Sequence, residues 1–399
     1  MTAAALDFSV SNELRADIRR WRGRFLVLGV IGVVLLALAW VTAPVQFYRS
    51  YLWAYVWVLG LGAGSLAWLM LQFLTGGAWG VVVRRPAEAA ARTLPYLLPL
   101  FIPIAIGYSS LYPWAHPDIV KADPVLQHKA VFLNLPFWLV RAAAELGGLV
   151  FLGWYINRWS AIEDREGPNP AHVRMSHISG PGLVFWVFGI TFIAIDWMMS
   201  LNPDWFSTMF GLLLVAGQSL TGIAFLITVL AFLSQRRPMN EVTTPRHLHD
   251  VGKLMFANVM LFAYFGFSQF LIIWAGNLPE EIPWYVERLR GGWQYVALVI
   301  VFGHFALPFA LLLSRDIKKN RKLLSRIAIF VLAMRVVDVY WLTIPDATKG
   351  AALAPTWVDL AALIGLGGIW TALFLTQLDK RPLMPANDIH IVGALEHGR

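Results

Sequence analysis

Apolar stretches of roughly 20 residues recur along the chain, each long enough to cross the ~30 Å hydrocarbon core of a bilayer as one helix. Ten can be placed, near residues 25–43, 51–74, 93–111, 131–156, 180–201, 205–233, 250–275, 292–314, 323–344 and 357–378. In lipid every backbone N–H and C=O must be satisfied within the protein, which leaves the helix as the spanning form for such runs. The predicted fold is an all-α integral membrane protein with about ten transmembrane helices. The connecting loops are short and no soluble domain is inserted. Composition agrees: 58% of the 399 residues are hydrophobic, and the 19 Trp and 25 Phe suit a chain with many helix ends at a membrane interface. A chain with no Cys holds no disulfide, iron–sulfur cluster or thiolate metal site.

The net charge of +8 reads as a topology signal and calls for no nucleic-acid partner. Of the 32 Lys and Arg, 22 fall in the N-terminal segment and in every second loop, from Arg15, Arg19 and Arg20 through Arg84, Arg85 and Arg92 to Lys380, Arg381 and Arg399. The other loops carry only Arg49, Lys121, Lys129, Arg288, Arg290 and Lys349. The positive-inside rule then predicts that both termini are cytoplasmic. Residues 1–24 and 379–399 are the cytoplasmic segments, and 25–378 the membrane domain. Val41-Thr42-Ala43 has the look of a signal-peptide cleavage site. Pro44 follows it directly and the charged leader is long, so the first segment reads as a retained helix.

An internal echo divides the membrane domain. The fifth span ends DWMMSLNPD (196–204) and the ninth DVYWLTIPD (338–346), each with Asp, then Pro, then Asp at the same spacing. The second contains GAGSL (62–66) and the sixth AGQSL (216–220). Both pairs are four spans apart, so their members cross in the same direction. The reading is two four-helix bundles, 51–201 and 205–344, related by a parallel repeat and flanked by the first and tenth helices.

Ionisable side chains inside these spans are costly and so mark candidate sites. Arg141 and Glu145 are spaced i, i+4, and Arg335 and Asp338 i, i+3, so each pair shares a helix face. Asp196 has no evident partner nearby in the sequence, and His304 lies near mid-span. Span seven starts with His249, Asp250 and Lys253 and offers Ser268 and Gln269 towards its other end. Ordered by depth, these groups form a ladder of the kind a proton needs to cross a bilayer. The plainer reading is that the Arg–carboxylate pairs neutralise each other, either within one helix or as pins between helices. On that reading Lys253 snorkels to the headgroups. His304, Asn134, Ser65, Gln218 and Ser219 make polar contacts between helices, and Trp205, Trp284 and Trp357 belong to the interfacial belt.

Intrinsic haem b would need paired axial His deep in the bundle, and only His304 lies there. No P-loop or dinucleotide fingerprint occurs in a suitable context. The chain carries no electron carrier of its own. In any redox role a bound quinone would react and a partner would take the electrons, with a carboxylate such as Asp196 as base for the released proton.

Several long stretches resemble a known family. LNLPFWLVRAAAELGG (133–148), AIDWMMSLNPDWFSTMFG (194–211), HDVGKLMFANVMLFAYFGFSQFLIIWAGNLPEEIPWYVERLRGGW (249–293), HFALPFALLLSRDIKKN (304–320) and RSYLWAYVWVLGLGAGSLAWLMLQFLTGGAWG (49–80) are similar to the NrfD/PsrC-like membrane subunits of alternative complex III. That complex is a quinol:cytochrome c (or other periplasmic acceptor) oxidoreductase of the bacterial cytoplasmic (inner) membrane. The resemblance implies ten helices in two four-helix bundles, a quinone or quinol as ligand, and no covalently bound cofactor. It implies partners too: a quinone-binding paralogous membrane subunit, a periplasmic iron–sulfur protein and c-type cytochrome subunits, which carry the iron–sulfur clusters and haem c. It carries a proton-path role to Asp196, Arg141, Arg335, Asp338, His249 and Asp250. Glu145 departs from the family pattern, standing where many relatives have an aromatic residue. Other classes suit the same charges: an NrfD-type anchor of a molybdenum oxidoreductase, an inert scaffold, or a stand-alone secondary transporter. The transporter predicts paired broken helices about a central site. Pro95, Pro99 and Pro103 interrupt span three, but span seven has no matching break.

Overall fold

The computed structural model describes residues 8–396. Its long helices are α1 (Asn12–Thr42), α2 (Pro44–Thr75), α3 (Ala78–Ala91), α4 (Leu94–Ile106), α5 (Leu135–Glu166), α6 (Ala171–Leu201), α7 (Thr208–Leu233), α8 (Pro245–Gly276), α9 (Trp293–Leu313), α10 (Arg321–Ala347) and α11 (Trp357–Leu378). Among the described residues there is no strand. Nine of these helices are each long and apolar enough to cross a membrane, and α3 with α4, bent by 41° at their junction, makes a tenth. The protein is an all-α, multi-span membrane protein.

Helix ends fall where local chemistry puts them. Ser11 caps α1 by accepting from the Leu14 N–H at 3.3 Å, so α1 starts well before its apolar run. Ala43 leaves helical geometry, and Pro44, which lacks an N–H to lose, opens α2. Span four is expected from residue 131, but the helix starts at Leu135. The reason is Asn134, which accepts from the Phe137 N–H at 3.0 Å as a helix cap. α8 is unbroken over its whole length, unlike the broken helix that the transporter class predicts.

The architecture is organised by α2 and α7, whose apolar windows are 89% and 83% buried, against 22% for α1 and α9. They cross at Gly64 and Gly222. A Cβ on Gly64 would meet the Gln218 carbonyl oxygen at 2.1 Å, and one on Gly222 the Gly64 carbonyl carbon at 2.4 Å. α3, α4 and α6 gather on α2, with α5 against α6, while α8 and α10 gather on α7, with α9 beside α8 and α10. α1 lies outside, packed on α11.

Both described ends meet on one face, here the terminal face. The Leu383 N–H donates to the Phe8 carbonyl at 3.0 Å, and Arg15 pairs with Asp379 at 3.1 Å. Arg84 is buried there among Glu88, Glu163 and Asp388. Asn387 donates to the Asp164 carbonyl at 3.1 Å, satisfying one of the free carbonyls at the end of α5. Arg399 lies outside the described residues.

Candidate functional site

The sequence-predicted charges fall into three groups. In the first, Arg141 of α5 does not close on Glu145, as their spacing allows. It crosses to α6, where Nε donates to Asp196 Oδ2 at 2.6 Å and Nη2 to Oδ1 at 2.9 Å. The bidentate geometry outcompetes an i, i+4 contact because a planar guanidinium matches both carboxylate oxygens at once. Asp196, with no partner near it in the sequence, is therefore fully paired. Nη1 of Arg141 donates to the Phe132 carbonyl at 3.0 Å, and the guanidinium sits over the Phe132 and Phe137 rings at 3.8 and 4.4 Å. Asp196 lies in a π-helical turn, Ala194–Met198. Around it the interior is filled by aromatic rings: Trp197 lies 4.9 Å from Phe101, and Trp138 5.5 Å from the same ring. Trp138 Nε1 donates to the Asp196 carbonyl at 3.0 Å. Glu145 is buried beside this pair without a hydrogen-bond partner.

The second group surrounds a cavity. Arg335 and Asp338 pair within α10, as their spacing predicts, and Arg335 Nε also donates to the Thr221 hydroxyl at 3.2 Å. Gly217 of α7 makes room, since a Cβ there would meet the guanidinium at 2.3 Å. Asp338 lines a cavity of about 680 Å³ whose walls are almost wholly apolar, among them Leu213, Phe262, Phe267 and Val301. Gln269 also lines it, with its amide buried beside Tyr285. His304 is buried next to the Phe262 ring, 4.4 Å between centroids, and neither ring nitrogen has a partner. The expected polar contact of His304 is thus not made. His304 too stands in a π-helical stretch, Ile300–Ala306. Such stretches commonly mark functional positions.

Three residues lining this cavity were not legible as candidates. Tyr285 and Arg288 come from the short helix Pro283–Arg288, and Trp341 from α10. By sequence Arg288 is a loop charge. It is buried, bonds Asp346 through Nη2 at 2.6 Å, and lies over the Trp284 ring at 3.6 Å. Burial pushes the Tyr285 hydroxyl up to about 12, against the weaker opposing influences of Gln269 and Arg288, so it remains a hydrogen-bond donor at neutral pH. Trp205 and Trp284 are not belt residues. They are buried and stacked at 4.7 Å, because the Arg288–Asp346 pair recruits Trp284 inward. Trp357, half exposed, does fit the belt.

The third group, His249, Asp250 and Lys253, sits at the start of α8. Lys253 lies 2.7 Å from Asp250 and is largely exposed, as snorkelling predicts. Asp250 is about 28 Å from Gln269 along the helix, so this group does not share the cavity. Ser268 is partly exposed and does not line it either. Of the polar residues read as links between helices, Gln218 alone makes one with its side chain, donating to the Val56 carbonyl at 3.1 Å. Ser65 bonds within its own helix, Asn134 is a cap, and Ser219 contributes only its backbone carbonyl, to Trp68.

Fold and site define the class of this protein, a multi-span helical membrane protein with a buried Arg–carboxylate pair in each half and an apolar cavity in one. A scan against protein-family models finds no match to the chain, and a search of curated proteins finds no significant relative.

Proposed function

We propose that this chain is a quinone-binding membrane subunit of a respiratory quinol-oxidising complex. Its redox-active partners would be those the sequence resemblance implies: an iron–sulfur protein, c-type cytochromes and a paralogous membrane subunit. The observation that supports it best is the cavity between α8, α9 and α10, with Asp338 and Gln269 in its wall. Its volume falls within the range of small-molecule sites, roughly 300–1,000 Å³, and apolar walls with a few fixed polar groups are the usual composition of such sites. A quinone carries an apolar body and two carbonyl oxygens, and the site meets that description. The Gln269 amide and the Tyr285 hydroxyl are donors for a carbonyl, and the aromatic and aliphatic wall suits the ring and tail.

A bound quinol supplies both electrons and protons. The chain's own part is to hold the ring and take up a proton. Asp338, ion-paired with Arg335, is the carboxylate in the cavity wall, and Arg335 fixes its position. His304 lies one layer behind, against Phe262. No residue of this chain takes electrons, so a partner must lie within electron-transfer reach. The inert-scaffold reading leaves the unbonded His304 unaccounted for, because buried polar groups without partners are destabilising unless they serve something.

The test is to purify the chain in mild detergent from its native membrane, extract bound quinone, and take a reduced-minus-oxidised spectrum of whatever co-purifies. Quinone retained by the wild type and lost in Gln269→Leu, with haem c bands in the preparation, supports the reading. A quinone-free chain that purifies alone, folded and colourless, rejects it.

A further inference from the structure

Glu145 is a carboxyl group with nothing to bond. It is 5% exposed, and neither oxygen has a hydrogen-bond partner. It lies on α5 one turn from Arg141, on the side of the terminal face. The charged groups that act on it are Asp196 of α6 and Arg141 of its own helix. Arg141 is already committed to Asp196 through two N–H groups, and that pair is neutral as a unit. An ionised Glu145 would add an unbalanced negative charge to an apolar interior. A metal cation would need several oxygen ligands, and no cluster of three or more His, Asp or Glu suited to a metal occurs among the described residues. A proton needs one acceptor.

We propose that Arg141, Asp196 and Glu145 form a site holding a single proton. The proton resides on Glu145 while Arg141 grips Asp196. When Arg141 turns to Glu145, the O–H bond on Glu145 breaks, one forms on Asp196, and the negative charge passes the other way. Arg141 stays protonated throughout, so the exchange needs no other reactant. Two carboxyls sharing one cation in this way titrate as a pair. The π-helical turn that carries Asp196 is a departure from regular helix at the point where the pair must open. This site lies in other helices than the cavity and needs no quinone, so it stands or falls independently of the proposed function.

Infrared absorption of the purified chain in lipid vesicles tests it, comparing wild type with Glu145→Gln and Asp196→Asn. The wild type should show a protonated-carboxyl C=O band that Glu145→Gln lacks. Asp196→Asn should lack it as well, because Arg141 then passes to Glu145 and ionises it. Should Glu145→Gln fail to fold, Asp196→Asn with isotope-labelled Glu carboxyl groups reads the same band with Glu145 in place. A band unchanged by either substitution overturns the site. A band lost in Glu145→Gln but retained in Asp196→Asn overturns the exchange through Arg141.

Discussion

Arg141 holds Asp196 across two helices by two charged hydrogen bonds, whereas Arg335 holds Asp338 within one helix. The sequence echo that links the two aspartates therefore does not extend to their partners. One carboxylate is gripped by an arginine that lies over the Phe132 and Phe137 rings, and the other lines a cavity.

Removing Arg141 strands Asp196 without its cation. Breaking a buried pair from one side costs about 3–5 kcal/mol, while replacing both partners by apolar groups is often close to neutral. Arg141→Leu should therefore lower the thermal unfolding midpoint in detergent sharply, and Arg141→Leu with Asp196→Leu should recover most of the loss. A double variant no more stable than the single one would mean that Asp196 is not what the arginine stabilises.

The α2–α7 crossing depends on the absence of side chains at Gly64 and Gly222. Gly64→Ala should destabilise by about 1–3 kcal/mol, the usual range for overpacking. Gly147→Ala is the control, since nothing lies within 4 Å of its Cβ position. It should be neutral or slightly stabilising, as Ala is the better helix former. Equal unfolding midpoints for the two variants would contradict the close approach.

Gln269 separates stability from binding. Its amide is buried in an apolar wall, where a polar group short of hydrogen bonds costs about 1–3 kcal/mol. Gln269→Leu should raise the unfolding midpoint of the quinone-free protein. It should also weaken quinone binding by about tenfold, the equivalent of one hydrogen bond of ~1.4 kcal/mol. Opposite signs in the two measurements mark a ligand-facing amide, and a fall in both would mark a structural one.

Glu287, in the short helix beside the cavity mouth, is pushed above the usual carboxylate range by burial first and by Asp346 second, against the pull of Arg288 and Arg290. A carboxyl with a raised folded-state pKa binds its proton more readily when folded, so stability falls as pH rises through the window above the ordinary Glu value of ~4.3. Glu287→Gln should therefore be the more stable protein at neutral pH, with the difference vanishing in acid. Denaturation midpoints measured across that pH range decide it.

The spans were legible because length and apolar content dictate a helix in lipid, and the Arg335–Asp338 contact because three residues of helix bring two side chains to one face. The partner of Asp196 was not, because it lies 55 residues away and only tertiary packing brings it near. The i, i+4 neighbour was the only one that local spacing could offer. The cavity was hidden for a related reason. It exists where small residues such as Gly266 and Ala297 leave space between helices, and a loop helix then supplies Tyr285 and Arg288. The inward turn of Trp284 has the same origin, since its burial follows from Arg288 and Asp346, which no periodicity connects.

The glycine-lined contact of α1 with α11 bears on how the protein is made. A Cβ on Gly29 would meet the Ile369 nitrogen at 2.6 Å, and one on Gly32 the Gly365 nitrogen at 2.3 Å. Of the spans described, α1 thus meets the helix it packs on most closely only once α11, last of them in chain order, has been made. Before that, α1 is tied to its neighbour α2, where Trp40 donates to the Tyr48 hydroxyl at 2.9 Å and stacks on Phe47. The arrival of α11 is what closes this backbone-close contact.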